Sequence, residues 1–289
     1  MKETYRFQKA FQDTAPLRES YNRLAGKVFG LDFEDWYQRG YWKENYIPYS
    51  ILDGEKVIAN VSVSPMRFLH GDKTLNLIQL GTVMADDDYR NQGLIRILME
   101  EVEADWGQTT DGAFLFANDR VLTMYPKFGF ESATEYEYYK EVCGDSKCSA
   151  EQILMDTAEN QKLLVDVIRN CSPSHDLWLL DSERIIMFYA SSFMSRNVYR
   201  IGDTYAVAER NGEDLYISEV FSKDPVDLDE VTAAFGREIK SVVLGFTPFS
   251  KTGWTARPCT HEDTTLFVKG AVSAFFESEK IQFPVLSHA

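Results

Sequence analysis

One stretch of the sequence restricts the fold more than any other, because it joins three elements in a fixed order. A strand-like run, Leu75–Val83, precedes a turn at residues 90–95 that contains Gly93. Apolar residues at helical spacing follow over Leu94–Trp106. The short apolar run Ala113–Ala117 then has the pattern of a strand that is buried on both faces. A strand, a helix and a second strand in this order predict an α/β fold with a mixed sheet.

The flanking patterns complete one mixed α/β domain. Asp53-Gly54 predicts a hairpin turn, and Gly129 predicts the end of a short helix. We expect Pro65 to interrupt the second hairpin strand, because proline cannot donate to a sheet ladder. The elements predicted around the central unit are a helix over Leu17–Tyr37 broken near Gly30, strands over Tyr46–Leu52 and Lys56–Val63, a short helix over Val121–Phe128, and one strand or a strand pair over Phe130–Val142.

The length of 289 residues suggests two domains, since a domain commonly has about 100–200 residues. A polar, turn-like stretch, Gly144–Ser149, separates them, so we predict domains at residues 1–145 and 150–289. The second half repeats the order hairpin, helix and strand without a matching glycine turn, which predicts a degenerate copy of the first. Its expected elements are a helix over 151–168, strands over 177–180, 204–209 and 215–220, a helix over 228–235 and a strand over 241–246.

The charge and the apolar pattern exclude several classes of partner. The net charge of -15 argues against nucleic acid, whose binding depends on Lys and Arg that neutralise phosphates. The same charge would attract a small cationic substrate, or it only keeps the protein in solution, and charge alone leaves both interpretations open. No apolar run reaches the roughly 18 residues of a membrane span, and the start of the chain lacks the apolar segment of a signal peptide. We therefore expect a cytoplasmic protein with no membrane partner.

The four cysteines and four histidines do not indicate a metal site, because they do not cluster at the short spacing of zinc ligands. Cys143 and Cys148 are close enough in sequence to form a disulfide in an oxidising compartment. Reduced thiols without a special role are the favoured interpretation, and no metal is expected.

The glycine turn suggests an anion site. The first N–H groups of a helix have no intrahelical partner, and together with the helix dipole they favour a bound phosphate. Gly93 would allow a close approach, and Arg90 and Arg96 would add charge-assisted bonds. A lone glycine before a helix is also common in purely structural turns, so other residues must decide between the two interpretations.

Two motifs in the expected order provide that information. The segment Arg90-Asn91-Gln92-Gly93-Leu94-Ile95, preceded by Tyr89, resembles motif A of the GNAT superfamily of N-acetyltransferases, Arg/Gln-x-x-Gly-x-Gly/Ala. Downstream, Asn118 and then Tyr125-Pro126-Lys127-Phe128-Gly129-Phe130 resemble the family's Asn and Tyr-x-x-x-Gly-Phe signature. The resemblance covers residues 43–132. It implies the GNAT fold, acetyl-CoA as the cofactor and acyl transfer to an amine.

One position departs from this motif, since most members have Gly or Ala where the chain has Ile95. The run Gly93-Leu94-Ile95-Arg96 is similar to the turn of a two-domain branch typified by the enhanced intracellular survival aminoglycoside acetyltransferases. That branch has a second, degenerate GNAT-like domain, as the second half of this sequence suggests. Its third, sterol-carrier-like domain is expected to be missing because the sequence ends at Ala289. This leaves the oligomeric state open, homo-oligomers included.

The resemblance implies a role for each matched residue. Pantetheine is expected along the strand before the turn, and the pyrophosphate on the turn itself. Tyr125 is the expected general acid for the departing thiolate, with a core tyrosine as the alternative. Asn118 is expected to contact pantetheine or, as the alternative, to cap the following helix. The cofactor-binding residues implied in this way are Val83, Met84, Ala85, Arg90, Asn91, Gln92, Gly93, Leu94, Ile95, Arg96 and Asn118.

The general base is not assigned from the sequence. Residues 86–88 are more typical of a solvated turn, and a histidine beside a Gly-Asp turn is more typical of a loop. The candidates are Asp86, Asp87, Asp119, His70 and the C-terminal carboxylate of Ala289.

Three functions are compatible with these observations. The motif pair and the acidic charge favour an N-acetyltransferase that acts on a small polyamine-like or aminosugar amine. A peptide or protein N-acetyltransferase would use the same cofactor site and a groove formed by the second domain. A non-catalytic acyl-CoA-binding module would explain Ile95 and the missing base.

Overall fold

The computed structural model describes residues 4–142, 148–259 and 262–289, without the side chains of Ala274 and Glu277. Cys143 and most of the predicted boundary at Gly144–Ser149 lie outside these described residues. Within them, the helices are too short or too polar for any one to cross a membrane.

The first sheet is built around one parallel pair of strands. Its strands are β1 (Tyr5–Lys9), β2 (Ile47–Asp53), β3 (Lys56–His70), β4 (Lys73–Ala85), β5 (Gly112–Ala117), β6 (Glu131–Ser132), β9 (Trp178–Leu179) and β15 (Thr265–Gly270). They lie in the order β1-β2-β3-β4-β5-β15-β6, and β9 pairs with β3. Helix α3 (Leu94–Trp106) connects β4 to β5, and this crossover makes that pair parallel.

The helices of the first half cover this sheet with apolar stripes. Leu94, Leu98 and Val102 of α3 are buried in one core cluster with strand residues. Helices α1 (Ala15–Phe29) and α2 (Glu34–Gln38) contribute to a second cluster that is rich in aromatic rings. Gly30, at a φ of 71°, ends α1 in the left-handed conformation, so the predicted break at this glycine is confirmed.

Two local predictions in the first half are wrong. β3 continues through Pro65 to residue 70. The pairing between β2 and β3 ends at Val63, so no hydrogen bond to β2 is lost because proline lacks an N–H. The short helix expected before Gly129 is a pair of 3₁₀ turns, Asp119–Val121 and Tyr125–Phe128, and Gly129 ends the second at a φ of 81°.

The second sheet repeats the central arrangement of the first. Its strands are β7 (Tyr136–Glu141), β8 (Glu151–Ile153), β10 (Val198–Ile201), β11 (Thr204–Asn211), β12 (Asp214–Phe221), β13 (Ser241–Leu244) and β14 (Thr255–Pro258). Their order is β14-β7-β13-β12-β11-β10-β8. Helix α6 (Leu228–Ala233) joins β12 to β13, and these two strands pair in parallel as β4 and β5 do. The remaining helices are α4 (Ala158–Asn170), α5 (Glu183–Ala190) and α7 (Phe276–Glu279).

The strands are not divided between the sheets in sequence order. β7 lies before the predicted boundary but pairs with β13 in the second sheet, whereas β15, near the end of the chain, pairs with β5 in the first. β9, predicted as a strand of the second half, also joins the first sheet. Each half therefore completes the sheet of the other, and the two-domain division at 1–145 and 150–289 stays a prediction.

The last residues of the chain run between the two sheets. Phe283 stacks on Phe114 of β5 with ring centroids 3.9 Å apart, and the His288 ring lies 3.7 Å from that of Phe116. Val285 donates its backbone N–H to the carbonyl oxygen of Gly245, beyond β13, at 2.8 Å. This C-terminal segment, residues 281–289, therefore packs on both halves.

Candidate active site

β4 and β5 separate at one end of their parallel pair. Pairing runs from Leu77 opposite Gly112 to Leu80 opposite Leu115. Past this point lies a cavity of about 910 Å³, which we call the large cavity. The predicted site residues that line it are Val83, Met84, Ala85, Arg90, Ile95, Asn118 and Tyr125.

A bulge interrupts β4 where the strands separate. Two β4 residues, Thr82 and Val83, stand opposite the single β3 residue Val61. Thr82 has a φ of 40°, a conformation that β-branched residues rarely adopt. A bulge takes a residue out of the ladder, and a backbone N–H released in this way can donate to a ligand carbonyl.

Buried hydroxyl groups hold the bulge in place. The Oγ1 atom of Thr82 lies 2.7 Å from Tyr46 Oη and 3.0 Å from Tyr21 Oη. Thr82 also donates to Ser62 Oγ at 2.7 Å, and Asn60 Nδ2 donates to the Thr82 carbonyl oxygen at 3.1 Å. Burial raises the pKa of both phenols, so they act as neutral hydrogen-bonding groups near pH 7. This network supplies Thr82 with hydrogen-bond partners in place of those that it loses in the sheet ladder.

The glycine turn at the start of α3 has the conformation that an anion site requires. Asn91 and Gly93 have φ values of 61° and 74°, in the left-handed region that favours Gly and Asn. The first turn of α3 contains no acidic side chain, so its N–H groups meet no competing carboxylate there. Arg90 lies at the cavity wall, paired with Asp87 at 2.8 Å.

Other predicted cofactor residues have side chains that point elsewhere. Gln92 Oε1 accepts a hydrogen bond from Tyr5 Oη at 3.2 Å, and the Leu94 side chain is buried in the core under α3. Arg96 differs from these two, because its guanidinium lies 3.6 Å from the position of a Cβ atom on Gly93 while its Nε lies 3.9 Å from Glu100. At Gln92 and Leu94, the backbone is the group left to contact a phosphate.

Tyr125 lies both in the core and at the border of the large cavity. The residue is 4% exposed, and its ring packs against Phe267 and Phe130 at centroid distances of 5.6 and 6.3 Å. It also lines the large cavity, and its hydroxyl bonds to none of the described residues. Burial raises the pKa of Tyr125 to about 12, so the phenol keeps its proton at pH 7. The ring is part of the core, while the residue borders the cavity.

Asn118 does not cap the turn that follows it. Its side chain makes no capping bond, and Nδ2 donates instead to Asp263 Oδ2 at 2.9 Å. The backbone N–H of Asp119 donates to the other oxygen of the same carboxylate at 2.7 Å. The capping alternative is therefore wrong, and Asn118 ties β5 to the loop before β15.

Most of the candidate bases are engaged in other contacts. Asp86 is buried and lies 3.0 Å from Lys56 Nζ, and the Asp87 carboxylate lies 2.9 Å from Lys27 Nζ. Asp119 is exposed and is not among the residues that line the large cavity. The ion pairs leave neither Asp86 nor Asp87 as an unpaired acceptor for an amine proton.

His70 lies in a separate cluster with two carboxylates. Its Nδ1 is 2.7 Å from Asp176 Oδ1 and its Nε2 is 3.2 Å from Glu279 Oε2. The candidate ligand atoms of these three residues lie within 4.8 Å of one another. Each carboxylate contacts a different ring nitrogen, so the three groups form a chain of polar contacts. The cluster is not part of the large cavity.

Ala289 is the base candidate that lies beside β4, which we call the acyl strand because the resemblance places pantetheine along it. Its N–H donates to Gln79 Oε1 at 2.9 Å, and Gln79 Nε2 donates back to its oxygen at 3.4 Å. A Cβ atom on Gly81 would lie 2.5 Å from that oxygen, so the glycine makes room for it. Sequence reasoning missed Gln79 and Gly81, although a glycine inside an apolar strand is a signal of close backbone approach.

A second cavity of about 380 Å³ adjoins the large one. Phe33, Phe188 and Ala289 line both, so we call this second space the adjoining cavity. It lies between α2, β3 and α5, and α5 was not predicted from the sequence. The part of the site beyond the acyl strand is therefore formed by both halves of the chain.

Comparisons with known proteins identify the class to which this geometry belongs. Residues 6–133 match the model of the acetyltransferase (GNAT) domain family. The match covers most of the first half of the chain, and it supports an acyltransferase. No curated protein matches the sequence significantly.

Solved structures show a similar fold over most of the chain at low sequence identity. A probable N-acyltransferase from Enterococcus faecalis has a TM-score of 0.60 and 12% identity, with 94% of this chain and 74% of that chain covered. A GCN5-related N-acetyltransferase from Kribbella flavida has a TM-score of 0.57 and 13% identity, with 92% and 71% covered. Eis1 from Mycobacterium abscessus has a TM-score of 0.55 and 11% identity, with 91% and 72% covered. The GNAT fold and the likeness to the two-domain branch are confirmed.

Proposed function

We propose that the protein is an acetyl-CoA-dependent N-acetyltransferase that acts on a small primary amine. The observation that carries this proposal is the opening between β4 and β5, with a bulged acyl strand on one side and Tyr125 on the other. Acetyl-CoA would supply an activated thioester. The cytoplasm is the proposed location.

The chain's own groups suggest how it would be held. Pantetheine would lie along Val83–Ala85, where β4 has left β5, and the pyrophosphate would meet the N–H groups at the start of α3. The left-handed turn at Gly93 fits this role because it exposes backbone and presents no side chain. Asn118, held by Asp263, borders the same space.

The transfer itself needs two proton movements. The amine nitrogen forms a bond to the acetyl carbon as the carbon–sulfur bond breaks, and a backbone N–H of the bulge would stabilise the carbonyl oxygen. Tyr125 Oη would give its proton to the leaving sulfur. The amine's surplus proton needs an acceptor, and the C-terminal carboxylate of Ala289 is the candidate beside the acyl strand.

Tyr125→Phe tests this proposal against a matched control. We expect acetyl-CoA affinity and stability close to wild type, since none of the described residues bonds to the hydroxyl, and a kcat lower by roughly 10²–10⁴-fold. The control is Tyr49→Phe, because Tyr49 belongs to the same core cluster but does not line the large cavity. Its hydroxyl donates a hydrogen bond to Asp105 Oδ2 at 2.6 Å. The control should lose about 1 kcal/mol of stability and keep its rate.

Calorimetry with acetyl-CoA and steady-state acetyl transfer to a panel of amines provide the measurements. A Tyr125→Phe enzyme that keeps more than about half of the wild-type kcat would remove this residue as the acid, since a positioned acid contributes far more. Binding without transfer to any amine would instead favour the acyl-CoA-binding module. Failure to bind acetyl-CoA would reject the proposal as a whole.

A further inference from the structure

The carboxylate side chains of the adjoining cavity are all matched by basic side chains. This differs from the surface as a whole, because the chain has a net charge of -15. A polyamine needs several unpaired carboxylates, one for each of its ammonium groups, to offset the loss of hydration. The pairs are Glu44 with Arg184 at 3.0 Å, Asp181 with Arg67, and Glu183 with Arg169 at 3.3 Å.

The carboxylate side chains of the large cavity are also engaged. Asp87 is paired with both Lys27 and Arg90. Asp263 accepts hydrogen bonds from Asn118 and from the backbone of residue 119, and these bonds lower its pKa. The C-terminal carboxylate of Ala289 adds at most one negative charge. Asp263 and the terminal carboxylate are thus held by neutral donors among the described residues, and the combined site offers no longer row of carboxylates for a polyamine.

A group of aromatic rings, called the wall below, lines the two cavities. Phe188 lines both cavities and stacks on Phe33 at 5.5 Å. Phe193 lies 5.7 Å from Phe188 and is 65% exposed, and Phe29, which also lines the large cavity, is 40% exposed. Exposed phenylalanine rings that line a cavity leave apolar surface for a ligand to cover. Trp36, in the adjoining cavity, continues the same wall.

We infer that the acceptor is a small monoamine with an aromatic or other apolar body, which packs on Phe188 and Phe193. This inference rests on the acetyl transfer proposed above and narrows its substrate class.

The wall has a second consequence for the reaction. An amine in apolar surroundings has a lowered pKa, so more of it is in the neutral form that attacks a thioester. The fraction that stays cationic is attracted by the ring faces.

The test compares two amines that differ in their bodies. 2-Phenylethylamine represents the arylalkyl monoamines, and putrescine represents the aliphatic polyamines. Wild-type enzyme should favour 2-phenylethylamine by roughly tenfold or more in kcat/KM, because one ring buries far more apolar surface than a short alkyl chain. Butylamine, a monoamine with a small body, should lie between them.

Phe193→Ala identifies the surface responsible. Because Phe193 is mostly exposed, this change should leave the melting temperature nearly unchanged. It should lower kcat/KM for 2-phenylethylamine by roughly fivefold and leave that for putrescine within about twofold. The matched control is Phe249→Ala, an equally exposed phenylalanine, 61%, that lines neither cavity and should leave both values unchanged.

Each outcome has a separate meaning. Equal or better turnover of putrescine, or equal losses for both amines in Phe193→Ala, would overturn the inference and leave the acetyltransferase proposal in place. Acetyl-CoA binding without transfer to any of the three amines would also overturn it. Absence of acetyl-CoA binding would reject the proposed function first, and the substrate class with it.

Discussion

Gly81→Ala tests how the end of the chain is seated in the site. The backbone at Gly81 is not in the left-handed region, so alanine can adopt its conformation without strain. The added Cβ would nevertheless lie 2.5 Å from the Ala289 oxygen and 3.0 Å from its carbonyl carbon. These are backbone atoms, so the contact cannot be relieved by rotation of a side chain. The variant must move either β4 or residue 289.

The expected cost follows from what that movement breaks. Overpacking of this kind costs roughly 1–3 kcal/mol, and the two hydrogen bonds between Gln79 and Ala289 would weaken with it. In a protein of this size, that cost lowers the melting temperature by roughly 2–5 °C. We expect kcat to fall by roughly tenfold or more, because small displacements of reacting groups are costly.

The assay combines a thermal melt with steady-state kinetics on the best amine. Gly26→Ala is the matched control, since Gly26 lies inside α1 and its added Cβ would meet Leu31 at an ordinary 3.7 Å. That change should stabilise the helix by roughly 0.5–1 kcal/mol and leave the rate alone. If Gly81→Ala behaved like Gly26→Ala in both measurements, residue 289 would not be packed against the acyl strand.

Three further predictions address other parts of the molecule. Gly93→Glu should weaken acetyl-CoA binding by roughly tenfold or more in calorimetry, because it places a carboxylate at the helix start; unchanged affinity in a folded variant would remove the turn from the site. Thr82→Val removes the hydroxyl that contacts Tyr46 and Tyr21, so the free energy of unfolding in urea should fall by roughly 1–3 kcal/mol. The kcat should also fall, and a loss of stability at an unchanged kcat would contradict a role for the bulge in catalysis. Burial raises the pKa of Glu135 to about 8, so the folded state holds this proton more tightly than the unfolded chain, and stability should fall as the pH rises from about 5 to about 8. Glu135→Gln keeps an acceptor for the Phe283 N–H and should remove that slope, at most roughly 1.4 kcal/mol per pH unit; the same slope in both proteins would assign it elsewhere.

The sequence determined the elements whose formation depends on near neighbours. Helix α3 was predicted with its observed ends, because apolar periodicity and the glycine before it are both local. Gly129 was likewise predicted as a helix-ending glycine, because its left-handed cap closes a short-range hydrogen bond. β5 was predicted to within one residue from its apolar run, although its hydrogen bonds go to distant strands. The order strand, turn, helix, strand was enough to give the α/β class, since a parallel pair requires such a crossover.

Tertiary structure decided the features that depend on distant pairings. β15 completes the first sheet from near the end of the chain, and β7 crosses to the second, because strand pairing requires only a matching edge and a suitable register. β3 runs through Pro65 because its β2 neighbour has already ended, which is a property of the partner strand and not of the proline.

The site divides in the same way. The glycine turn and Tyr125 were predicted as site residues because two motifs in one continuous part of the first half resemble those of the GNAT superfamily. The positions of Gln79 and Phe193 at the site could not be predicted from the sequence. They depend on tertiary structure, which places the C-terminal segment and the end of α5 beside β4. Their roles arise from contacts across long sequence separations, and the loop-closure entropy that opposes such contacts is offset only by burial in the complete fold.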